Sequence, residues 1–193
     1  MTALTHSPNA PRLVLADLVP GTRLRDAALV LAGAGLTGLA AQIEIHTFLT
    51  PVPFTLQTLA ALLVGASLGT VRGSVSMLVY ALAGASGIPW FAGHTHGWSA
   101  PSFGYILGFV AAAALVGALA ERGRDRDPIS AVGTLALGSA VVYVVGTLWL
   151  AIDLRLTAAK AIELGITPFL LTDALKIAAA ALALPALWRA LRR

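Results

Sequence analysis

The sequence predicts an all-α polytopic membrane protein with six transmembrane helices, and three observations carry that expectation. Hydrophobic residues make up 58% of the 193 and charged residues 11%, against about 25% charged in a soluble domain; mean hydropathy is +0.83. The apolar residues gather into stretches long enough to span a bilayer, which takes about 20 residues, range roughly 17–25. Lys and Arg fall almost wholly in alternate loops. This length suits one transmembrane domain over residues 1–193.

The segments run at about 27–43, 54–71, 73–92, 103–120, 129–152 and 164–188. The first is expected to serve as its own insertion signal, because residues 1–25 hold no unbroken apolar core of the kind a cleavable signal peptide needs. It carries small residues four apart, Ala28 and Ala32 on one row and Ala34 and Gly38 on another. Such rows let helices approach closely, within the chain or against a partner. Little more than Gly69-Thr-Val-Arg72-Gly73 separates the second segment from the third, so they must form a tight helical hairpin. Pro53, Pro101 and Pro128 stand just before the second, fourth and fifth starts, and Pro168 stands early in the sixth. A missing backbone N–H does least harm there.

Orientation follows from the loop charges. With the N-terminus cytoplasmic, the inner side holds Arg12, Arg23, Arg25, Arg72, Arg122, Arg124, Arg126, Arg189, Arg192 and Arg193, and the outer side only Arg155 and Lys160. That skew places both termini inside and accounts for a pI near 10.1 without any nucleic-acid partner. The run from Glu121 to Asp127 reads as a solvated turn. Cysteine is absent, so no disulfide, thiolate metal site or cysteine nucleophile is available.

The expected outer loops hold the aromatics and turn residues. Pro51 and Pro53 stiffen the first into a shaped lid. Trp90, Phe91, Trp98 and Tyr105 offer an apolar wall for a flat ligand, or an aromatic belt at the membrane surface. His94 and His96, with His46 in the neighbouring loop, raise a second reading, a transition-metal capture subunit. Two His at i,i+2 without a nearby carboxylate fall short of a three- or four-ligand site, so no metal is expected.

Asp173 and Lys176 are the most informative residues. They stand three apart on one helix face inside the apolar sixth segment, where an ionisable group costs roughly 2.5–3.5 kcal/mol to insert and usually faces a cavity. The pair is expected to floor a binding site; the plainer alternative is a self-neutralising structural pair. Gln57, at the start of the second helix, and Tyr105, at the start of the fourth, are secondary polar candidates. An intramembrane enzyme would need a nucleophile with a base, or two carboxylates, at membrane depth, and only Asp173 is placed there, so no catalytic residue is assigned.

Four motifs carry a resemblance. Thr50-Pro-Val-Pro-Phe-Thr-Leu-Gln57, Gly84-Ala-Ser-Gly-Ile-Pro-Trp-Phe-Ala-Gly93, Pro101-Ser-Phe-Gly-Tyr-Ile-Leu-Gly-Phe109 and Asp173-Ala-Leu-Lys176, in this order and spacing, resemble the BioY family of biotin-binding S components of energy-coupling factor (ECF) transporters. The similarity runs from about residue 31 to 184. Where the family usually continues with more Gly and a Gly-Pro-Thr after Phe-Ala-Gly, this chain has His94, His96, Trp98 and Ala100-Pro101-Ser102. The resemblance implies a multi-pass protein of a bacterial cytoplasmic membrane that captures biotin outside and delivers it inward with a transmembrane coupling subunit and two ATPase subunits. A stand-alone biotin transporter is a further alternative. The resemblance also implies that the small-residue face of the first helix, Ala28, Ala32, Ala34 and Gly38, docks the coupling subunit. No Gly-x-x-x-x-Gly-Lys-Ser/Thr is present, so ATP belongs to the partners and no cofactor is expected.

Overall fold

The computed structural model describes residues 13–18 and 20–191. Arg12, Arg192 and Arg193 of the charge balance, and much of the stretch read for a signal peptide, lie outside the described residues. After a 3-10 turn at Leu15–Leu18 come helix α1 (Arg23–Ala41), strands β1 (Glu44–Thr47) and β2 (Thr50–Thr55), and helices α2 (Gln57–Ala85), α3 (Phe103–Glu121), α4 (Pro128–Asp153), α5 (Ala158–Gly165) and α6 (Leu170–Leu191). Among the described residues, five helical stretches are long and apolar enough to cross a membrane; the last combines α5 and α6 as Ala158–Leu191. Their outward faces carry large hydrophobics such as Leu31, Leu82, Leu148 and Leu182. Their inward faces are rich in Ala and Gly, which suits helices that associate by close packing rather than by water exclusion.

The second and third predicted segments are joined in α2, where the chain reverses on one residue. Gly69 has φ 85 and ψ −178, a region essentially reserved for glycine. The two arms then run back along each other: a Cβ placed on Gly73 would stand 2.9 Å from Gly65 Cα, and Gln57 near one end hydrogen-bonds Tyr80 near the other. The reversal is closed by α3, whose terminal Glu121 Oε1 accepts from Thr70 N at 2.8 Å. This carboxylate meets the free N–H groups at the start of the second arm, where negative charge is favoured.

The structure departs from the all-α expectation in one place. Residues 44–55 form an antiparallel β hairpin, with Glu44 opposite Thr55, Ile45 opposite Phe54 and Thr47 opposite Thr50. Pro51 and Pro53 fit in it because in a two-stranded sheet every strand is an edge, and an edge tolerates a missing donor. Helix α2 accordingly begins at Gln57 rather than near 54, and it ends at Ala85, since Gly87 adopts φ 114. The sixth segment is divided, with α6 beginning at Leu170.

At the end of the bundle away from the hairpin, charged groups tie the first turn to α1 and α2. Arg72 pairs with Asp17 and, at 3.1 Å, with Asp26, while Val14 N donates to Asp17 Oδ2 at 3.0 Å. Partial burial pushes the Asp17 carboxyl up, but the Arg72 guanidinium and the Val14 N–H outweigh it and hold the group below its ordinary value. Asp127 caps α4 by accepting from Ser130 N at 2.9 Å, and that hydrogen bond lowers its pKa.

Candidate ligand-binding site

Beneath the β hairpin a pocket of about 40 Å3 opens among β2, α2, α3, α4 and α6. Asp173 and Lys176 lie in its wall, on the first turns of α6 where their three-residue spacing puts them side by side. Lys176 Nζ donates to Asp173 Oδ1 at 2.8 Å and to the Thr55 carbonyl at 2.8 Å. The second carboxylate oxygen, Oδ2, accepts from Tyr143 OH of α4 at 2.7 Å. Asp173 is 5% exposed, so this anion is removed from solvent and held by two donors, the arrangement a buried carboxylate requires.

The other polar candidates fall near the pair but are differently occupied. Gln57 lines the pocket, and its Nε2 donates to Tyr80 OH. Tyr105 also lines it, with its hydroxyl donating to Gly165 O at 2.8 Å. Phe91, Phe109 and Phe169 supply apolar walls, with the Phe169 ring tilted against that of Phe54 at a centroid distance of 4.6 Å.

Trp90 does not line this pocket. Its indole donates to Tyr80 O at 3.0 Å and its ring lies 5.1 Å from that of Tyr80, so it braces the loop after α2 behind the wall. Gln42 holds the same loop by donating to Trp90 O and Phe91 O, each at 3.1 Å. His46, His94 and His96 are exposed. Among the described residues no three His, Cys, Asp or Glu side chains gather where they could hold a metal ion.

The small-residue rows of α1 separate. Ala28 and Ala32 are exposed, and Ala32 lines a lateral apolar groove of about 810 Å3 between α1, α2 and α6. Ala34 is 1% exposed, and a Cβ on Gly38 would stand 3.3 Å from Trp90. This second row is used inside the chain, so it offers no surface to a partner, contrary to the expectation for all four residues.

Sequence reasoning missed Tyr143 and the Thr55 carbonyl. Tyr143 had a signal, a phenol in the aliphatic run 140–145 of a membrane helix, where a hydroxyl needs a partner. A backbone carbonyl leaves none.

Fold and site together define a polytopic membrane protein with a recessed polar pocket floored by an ion pair. The chain belongs to the BioY family, whose family model matches residues 11–193. It is 37% identical over 161 residues to the probable biotin transporter BioY of Pyrococcus horikoshii, covering 82% of this chain and 93% of that protein. To the biotin transporter BioY of Thermotoga maritima it is 36% identical over 160 residues, covering 80% and 91%. In fold it resembles the crystal structure of the S-component for biotin from an ECF-type ABC transporter, with a TM-score of 0.78 at 19% identity over 86% of this chain and 92% of that one.

Proposed function

We propose that this protein captures biotin with high affinity at the outer face of a bacterial cytoplasmic membrane, as the S component of an ECF uptake system. The observation that carries the reading is the donor and acceptor inventory of the ion pair. An ammonium has three donors and a carboxylate about four acceptor positions. Lys176 gives two donors to Asp173 and Thr55, and Asp173 fills two positions with Lys176 and Tyr143. One donor and two acceptor positions remain free side by side. That pattern complements one edge of a cyclic urea, C=O next to N–H, so Asp173 accepts from the ureido N–H and Lys176 donates to its carbonyl. Phe91, Phe109 and Phe169 enclose the thioether ring and the aliphatic tail. Val52, Pro53 and Thr55 of the 44–55 hairpin roof the pocket.

On this reading the two arms of α2 are separate crossings. That gives six, with both termini on the cytoplasmic side, supported by the reversal at Gly69 and by the loop charges. The groove beside Ala32 receives the transmembrane coupling subunit of a module whose two ATPase subunits supply the energy. Calorimetry of biotin with the purified chain tests the proposal, with an expected dissociation constant in the nanomolar region, roughly −12 kcal/mol. Absence of measurable heat and of thermal stabilisation by biotin would refute it.

A further inference from the structure

Below the ion pair, one turn deeper along α2, α4 and α6 than the ligand pocket, lies a second cavity of about 10 Å3. Thr58, Ser139, Asp173 and Lys176 line it among leucine and isoleucine side chains. Ser139 is 4% exposed, and its Oγ has no hydrogen-bond partner among the described residues. Buried hydroxyls are nearly always satisfied by protein or by ordered water. Ser139 stands one turn before Tyr143 on the same face of α4 and lines this cavity together with Asp173, which Tyr143 hydrogen-bonds.

We infer that this cavity is the site of one structural water that bridges Ser139 Oγ to the Asp173 carboxylate, which makes Ser139 a positioning residue of the ligand pocket. A cavity of roughly 10–15 Å3 with two to four polar partners is what one buried water requires. Any organic ligand is too large. A metal cation is repelled by the Lys176 ammonium and an anion by the Asp173 carboxylate, which leaves a neutral molecule of water size. The consequence falls on recognition and rests on the proposed biotin reading. Of about four acceptor positions on Asp173, Lys176 and Tyr143 fill two and the water a third, so the ligand meets a single acceptor in a fixed direction.

Two measurements test this. A high-resolution crystal structure of the ligand-free protein should show one ordered water within hydrogen-bond distance of both Ser139 Oγ and Asp173; clear density with no water there overturns the inference. Biotin affinity is then compared in Ser139→Ala and Ser139→Val. The alanine variant leaves room for the water but removes one partner, and about fivefold weaker binding is expected. The valine variant displaces the water, and at least about twentyfold weaker binding is expected, while the ligand-free melting temperature of Ser139→Val is not below that of Ser139→Ala. A purely packing role gives the opposite order, since valine fills the space better, and valine binding biotin as well as alanine does would overturn the inference. Should Ser139→Val fail to fold, the density and the alanine variant still decide. Failure of the wild-type protein to bind biotin would remove the proposed function and leave the water to be decided by the density.

Discussion

Replacing Lys176 by alanine probes the site most directly. The Lys176 and Asp173 side chains are 16% and 7% exposed, so solvent screening is weak and the Asp173 carboxylate keeps only the Tyr143 hydroxyl of its two side-chain donors. Breaking a buried pair by removing one partner costs about 3–5 kcal/mol. Part of that cost is already present in the ligand-free protein, where it appears as a lower melting temperature. The part specific to binding is the lost charge-assisted bond to the ligand carbonyl, about 1.5–3 kcal/mol, together with the disordered Asp173 carboxylate. Biotin should therefore bind roughly ten- to a hundredfold more weakly, since each factor of ten is 1.4 kcal/mol. Titration calorimetry in detergent gives the affinity and a thermal melt gives the stability. The double variant Asp173→Asn with Lys176→Met, which leaves no buried charge, should recover much of the stability and none of the binding. A folded Lys176→Ala protein that binds within threefold of wild type would show that the pair only neutralises itself and that recognition lies elsewhere.

Three other perturbations follow from the geometry. Ala32→Trp should leave biotin binding intact while abolishing co-purification with the coupling subunit, whereas Ala34→Trp, at a site 1% exposed, overpacks the bundle by typically 1–3 kcal/mol or more and should lower the melting temperature; the reverse pattern would exchange the two faces of α1. Gly69→Ala forces a side chain into a backbone region that costs of order 1–3 kcal/mol, with its Cβ 2.8 Å from Glu121 Oε1, so the variant should melt several degrees lower, and an unchanged melt would contradict the reversal. Because the folded-state pKa of Asp17 is depressed, its contribution is fully present above the unfolded carboxyl value near 4 and is lost as pH falls through the lower folded value. The melting temperature should decline on acidification below about pH 4, less steeply in Asp17→Asn, and equal slopes in the two proteins would discount the Arg72 pair.

The sequence made the ion pair legible because charge in an apolar helix has few uses, and spacing alone put both groups on one face. The hairpin at Gly69 was legible for a similar reason, as two apolar arms with almost nothing between them demand it. The β hairpin was not, since Pro51 and Pro53 argue against a strand unless one knows that both strands are edges. Trp90 and Phe91 are neighbours of similar hydrophobicity, yet one braces a loop and the other lines the pocket; loop conformation decides this and local pattern does not. The split between Ala32 and Ala34 has the same origin, since a row of small residues is equally good at meeting its own chain and another.

The one-residue reversal also bears on how the chain crosses a bilayer. At 1.5 Å per residue, the arm 57–68 is about 18 Å long and the arm 70–85 about 24 Å, whereas the hydrocarbon core is about 30 Å thick. As helix alone each arm falls short of that thickness, so each crossing is completed by what flanks it: the β hairpin ahead of Gln57 and the loop after Ala85. Residues 57–85 therefore behave as one packed unit whose two crossings share the single turn at Gly69.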